Sequence, residues 1–187
     1  MPCIVERRDY DGARERVARL GLAVLWEELE NILTGFRLSV VEQVHANSGG
    51  AVRKAINGMF IDAGWTRMQA GGVDWIKNVR TEGAHPTLGV ELRFSRRHDF
   101  LVLDVVHLRE QITAGKVDVG VLITPSDHLA EYLQAGGPRF SYATMTVERD
   151  NARYLPIVVL GLEHDSREPK LLSEGQRTAG RSTARSQ

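Results

Sequence analysis

Two acids and one base in this chain sit where structure alone gives them little reason to be. Asp74 interrupts the apolar run Val73-Asp74-Trp75-Ile76, and Glu91 interrupts Leu88-Gly89-Val90-Glu91-Leu92-Arg93-Phe94. In an extended chain successive side chains alternate between faces, so Glu91 and Arg93 share one face while Val90, Leu92 and Phe94 share the other. A carboxylate on an otherwise apolar strand is costly unless it is paired or binds a cation. A metal site answers that cost, with Arg93 as a positive neighbour. Carboxylates around a divalent cation, usually magnesium, beside one positive or hydrogen-bonding group are what phosphodiester hydrolysis by a metal-dependent nuclease needs. The bare pattern of Asp, a variable gap, then Glu-X-basic is weak by itself.

The elements that must position these residues follow from periodicity. Residues 9–33 carry apolar residues at three- and four-residue steps (Val17, Leu20, Val24, Leu25, Leu29, Ile32), which predicts a helix ending near Gly35. Leu38–Val44 reads equally as an extension of that helix or as a short strand. Asn47-Ser48-Gly49-Gly50 breaks the pattern, and Ser48 suits the cap of a helix over about 51–63. Trp65–Gln69 and Val73–Lys77 read as two short strands around Gly71-Gly72. Asn78–Thr87 is a loop, Leu88–Phe94 the acid-bearing strand, and Asp99–Thr113 a helix. Val117–Thr124 is almost wholly apolar, as in a strand buried on both faces. Pro125-Ser126 opens a helix that Gly136-Gly137-Pro138 ends, and Ser141–Val147 and Leu155–Leu162 read as strands. The order predicts an α/β (α+β) domain with a mixed central sheet flanked by helices.

Composition sets milder bounds. The chain has 187 residues with 24 basic and 24 acidic side chains, so no overall basic field announces nucleic acid. A single cysteine, Cys3, excludes an internal disulfide framework or a Cys-rich zinc site, and no apolar run reaches membrane-spanning length. These features, with no hydrophobic leader, predict a soluble cytoplasmic protein with no membrane association. Residues 1–165 are expected to form one domain, and 166–187 a polar, basic, flexible tail.

The segments VDWIKN (73–78), GVELRF (89–94), DFLVLD (99–104), KVDVGVLITP (116–125) and YLPIVVLGLE (154–163) add specificity. In content and order this block resembles type II restriction endonucleases of the BglII kind, within the PD-(D/E)XK nuclease superfamily that includes BamHI. The resemblance covers roughly half the chain, with KVDVGV its most family-like piece. It implies a restriction-endonuclease-like fold and magnesium-dependent hydrolysis of double-stranded DNA at a short palindrome by a homodimer. Asp74 matches the metal-binding aspartate and Glu91 the glutamate, and the backbone carbonyl of Leu92 is implied as a further metal ligand. Arg93 stands where lysine is usual, and Asn57 or a neighbour on the preceding helix is implied to match a residue that supports the site. Two departures stand out. Arginine stays protonated and cannot serve as a general base, and the Asn78–Thr87 loop lengthens the gap between the two acids.

Other residues carry plainer readings beside the functional ones. Asp74 could be a turn residue after Gly71-Gly72, and Glu91 with Arg93 a surface pair of little energetic worth. Ser95, Arg96, Arg97 and His98 form a solvated turn by default, and a phosphate or major-groove contact if the strand before them is catalytic. Lys77 reads either as a strand-edge charge or as a phosphate contact. His45 and Asn47 are assigned to a loop, His107 to an interface or core edge rather than a ligand, and Cys3 to no chemistry. The functional alternatives are a DNA-binding or interaction protein on a nuclease-like fold with impaired catalysis, and a repair or recombination nuclease of the same superfamily.

Overall fold

A computed structural model describes residues 1–41, 43–68, 72–80, 83–95 and 98–167, with the side chains of Ser166 and Arg167 excepted. Its centre is a six-stranded mixed sheet. Strands β1 (Cys3–Asp9), β3 (Thr66–Arg67), β4 (Trp75–Asn78), β5 (Thr87–Leu92), β6 (Val119–Pro125) and β7 (Ile157–Glu163) lie in the order β1-β7-β6-β5-β4-β3. The central three, β5, β6 and β7, run parallel, and β1, β4 and β3 pair antiparallel at the two sides. A separate parallel pair joins β2 (Ser39–Val40) to β8 (Ser166–Arg167), so the segment expected to be free after residue 165 starts with two paired residues. Residues 168–187 lie outside the described residues.

Helices cover both faces. On one side pack α1 (Ala13–Arg19), α2 (Ala23–Thr34), α3 (Gly49–Asp62) and α5 (Asp127–Tyr132). Their Leu25, Trp26, Leu29, Ile56, Phe60 and Leu129 bury against Val90, Leu92, Val121, Ile123, Val158 and Leu160. On the other side, α4 (Leu101–Thr113) and α6 (Phe140–Arg149) lay Leu101, Val105, Leu108, Ala143 and Val147 over Leu122, Ile157 and Val159. All seven residues of β6 are buried, as a strand covered on both faces must be. Among the described residues no helix is long and apolar enough to cross a membrane.

Three local readings need correction. The helix expected over 9–33 is two helices, α1 and α2, broken at Gly21, whose φ of +70° a helix cannot continue. The strand β1 before it was not foreseen, because a charged edge strand (CIVERRD) lacks a continuous apolar signature. The segment Ser141–Val147, read as a strand, belongs to α6. Ala143, Thr146 and Val147 are its buried residues, and their three- and four-residue spacing is helical. The undecided Leu38–Val44 stretch contributes only the two residues of β2. Ser48 caps α3 as expected, accepting from the Ala51 amide at 3.3 Å.

Candidate active site

The site forms where β4 and β5 stop pairing. The last pair is Trp75 with Val90, and beyond it the Leu92 amide donates instead to Asp74 Oδ2 at 3.0 Å. A side-chain carboxylate thus replaces the next backbone acceptor, which holds Asp74 against the carboxyl end of β5. Glu91, opposite this point, faces α4 rather than the apolar layer that takes Val90 and Leu92.

Each acid of the site meets its own basic partner. Arg53, one turn into α3, donates to both oxygens of Asp74 at 2.6 and 2.8 Å. Arg93 donates through Nε to Asp104 Oδ2 at 2.5 Å and through a terminal nitrogen to Asp104 Oδ1, with Asp104 fully buried. His107, one turn further along α4, lies with Nδ1 3.1 Å from Glu91 Oε1. Ligand atoms of Glu91, Asp104 and His107 all fall within 4.8 Å of one another. The position of α3 is set by a close approach. A Cβ on Gly49 would lie 1.6 Å from the Phe94 carbonyl oxygen, so only glycine lets the helix start against the chain that follows Arg93.

Burial raises the Glu91 pKa far above the ordinary carboxylate range, with the charges of Asp104 and Asp74 adding to the rise and Arg93 opposing it. Burial also raises Asp104, against the hydrogen bonds and charge of Arg93. Burial pulls Arg93 down, yet the hydrogen bonds and charge of Asp104, with Glu91 and Asp74, carry it above its usual value. Arg53 Nε is buried without a hydrogen-bond partner.

The residues singled out from the sequence separate here. Asp74, Glu91, Leu92 and Arg93 are brought together. Asn57 lies behind them, where its Oδ1 accepts from Trp75 Nε1 at 3.0 Å and so steadies the start of β4. Lys77 is elsewhere, its ammonium on both oxygens of Glu28 (2.7 and 2.9 Å) and on the Ala63 carbonyl at 2.7 Å. His98 is partly exposed, with Nδ1 3.2 Å from the Gly136 carbonyl, and Ser95 is partly exposed too. Arg96 and Arg97 lie outside the described residues. Asn47 belongs to the loop as read, bonding Val41 and Tyr132. His107, assigned to a core edge, touches Glu91 instead. Arg53 and Asp104 went unnoticed. Asp104 carried a signal, since Leu101, Asp104, Val105 and Leu108 form one helical stripe and an acid inside it needs a partner.

A mixed sheet with acids gathered at the carboxyl end of an inner strand defines the restriction-endonuclease-like class of α/β proteins. The crystal structure of free BglII has this fold, with a TM-score of 0.56 at 19% identity over 86% of this chain and 79% of that one. The family described as restriction endonuclease BglII/BglIII matches residues 6–162, and the chain belongs to that family of nucleases. No curated protein sequence matches it.

Proposed function

We propose that this chain is a type II restriction endonuclease. It hydrolyses phosphodiester bonds in double-stranded DNA at a short palindromic site, as a homodimer and with magnesium. A two-fold symmetric dimer matches a two-fold symmetric site, one active centre to each strand. The observation that carries the reading is Glu91. It is a buried carboxyl whose charge is disfavoured by burial and by two neighbouring acids, and the resemblance in sequence assigns it the role of the metal-binding glutamate.

That setting suits a divalent cation, because Arg53 and Arg93 already partner Asp74 and Asp104, and a further positive charge would favour ionisation of Glu91. Asp74, Glu91 and the Leu92 carbonyl would hold it, hard oxygen ligands of the kind magnesium takes. When bound, the ion supplies Lewis-acid activation and charge stabilisation for phosphodiester hydrolysis. The chain's own groups do the rest. Arg93 holds Asp104 and adds fixed positive charge without serving as a base. Arg53 fixes the rotamer of Asp74 and keeps Nε as a spare donor for a phosphate oxygen. His107 orients Glu91, and Asn57 supports the site through Trp75. Ser95 and His98, with Arg96 and Arg97 between them in sequence, are assigned to DNA contact. Lys77 is not part of this assignment, because Glu28 and Ala63 already take its donors.

The test is incubation of plasmid DNA with the full chain and magnesium, followed by sequencing of the ends. Discrete fragments with one terminal sequence support the reading, and a smear points to a less specific nuclease of the superfamily. DNA binding without any cleavage would favour a binding protein on this fold, for which the engagement of Arg93 by Asp104 is the supporting observation.

A further inference from the structure

A second histidine–carboxylate cluster lies away from the nuclease centre and plays no part in it. Glu163 ends β7, His164 follows it, and His128 is the second residue of α5. His128 Nδ1 is 3.1 Å from Glu163 Oε2, and His164 Nδ1 contacts Glu163 Oε1 closely. Glu163 also accepts from Ser126 Oγ at 2.6 Å and from the His164 amide at 2.9 Å. One ligand atom from each of His128, Glu163 and His164 falls within 4.8 Å of the others. Tyr132, one helical turn after His128, lies with its hydroxyl 3.3 Å from His128 Nε2. The two imidazoles stack at 5.6 Å and 24°, and the Tyr132 ring meets His164 edge-on at 5.6 Å.

We infer that His128, Glu163 and His164 form a site for a borderline divalent metal ion of the zinc type, separate from the nuclease centre. Two imidazoles and one carboxylate are a donor set for zinc and its neighbours, unlike the oxygen ligands that suit magnesium. Both Nδ1 atoms converge on the one carboxylate, so a cation could take them as ligands there, each ring giving up any Nδ1 proton and keeping one on Nε2. His128 Nε2 would then carry the remaining proton and donate to the Tyr132 hydroxyl, which can accept as readily as it donates. That is the usual support for a metal-bound imidazole. Glu163 is held ready as an anion. Burial raises its pKa, but the donors from Ser126, the His164 amide and both imidazoles outweigh this and leave it lowered.

The place in the fold gives such an ion a structural role. Strand register runs from Glu91 through Leu122 to Val159, so Glu163 lies two strands over and four residues along from Glu91, about 16 Å away. An ion there would tie the start of α5 to the end of β7, just before Asp165 pairs with Leu38 and the chain enters β8. It would bind the folded state only, and so stabilise it.

The test is calorimetric titration of the untagged full chain with zinc chloride alone, repeated on Glu91→Gln, His128→Gln and His164→Gln. Zinc can also reach His107 beside Glu91, and the Glu91→Gln protein removes that carboxylate. We expect one tight equivalent of zinc in both wild type and Glu91→Gln, with a rise in Tm in each. That step should be lost in either histidine variant, and weakened about tenfold in Tyr132→Phe, the scale for removing a supporting hydrogen bond. Magnesium-dependent cleavage by the His164→Gln protein should match wild type. Absence of a tight step in wild type, or its survival in both histidine variants, overturns the assignment. So does its loss in Glu91→Gln with both histidines intact. Because no arm of the titration reads cleavage, the metal site and the nuclease reading can fail separately.

Discussion

Glu91 and Glu163 are both strand-borne glutamates facing histidines, yet their surroundings push them in opposite directions. Glu91 is 2% exposed and has two carboxyl neighbours, and burial lifts its pKa strongly. Glu163 ends its strand near solvent, where four donors converge on it, and its pKa falls. Strand position decides between them. A residue inside the sheet loses water before it gains partners, whereas one at the strand's end can collect donors from the loop and helix that follow. The first arrangement holds the carboxyl neutral until a cation favours its ionised form, and the second stabilises the anion by hydrogen bonding.

The sharpest way to break the contrast is to neutralise each acid in turn. Glu91→Gln, like Asp74→Asn, should lower plasmid cleavage in magnesium by about a thousandfold, the scale of removing one preorganised electrostatic group. DNA binding measured by gel shift should persist. Glu163→Gln should cleave at the wild-type rate. If Glu91→Gln cuts normally, the buried cluster is not the catalytic one.

Removing the cation within the buried cluster tests its energetics. Arg93→Ala leaves Asp104, with no exposure, facing an empty space, and should cost roughly 3–5 kcal/mol in urea unfolding. Arg93→Lys keeps a charge and should lose much less. An Ala variant as stable as wild type would mean that Asp104 takes up a proton and needs no partner.

Smaller effects are expected as the groups become supporting or exposed. Asn57→Ala strands the Trp75 Nε1 donor and should cost about 1–3 kcal/mol, with cleavage falling because Asp74 immediately precedes Trp75 and β4. Lys77→Ala removes a half-exposed pair with Glu28 and should change stability by no more than about 1 kcal/mol. Cleavage by that variant should be unchanged. A large loss of DNA affinity instead would restore Lys77 as a phosphate contact.

The sequence by itself determined the strands that alternation or continuous burial marks, and with them Asp74, Glu91 and Arg93. An acid in an apolar run is visible because its cost is local. It also determined the cap at Ser48 and the helix start at Pro125-Ser126, where both serine hydroxyls bond within three residues. It misjudged α6, where β-branched residues obscured a helical stripe, and missed β1, an edge strand whose pairing with β7 is supplied by a strand far along the chain. Only the tertiary structure decided the partners. Arg53 reaches Asp74 because Gly49 lets α3 start against the Phe94 carbonyl, and Asp104 reaches Arg93 because α4 crosses the face that Glu91 shares. It likewise decided that Lys77 belongs to Glu28, and that His128 meets the distant Glu163. Burial is a property of the folded chain, and so the charge state of each acid could be read only after folding had chosen its neighbours.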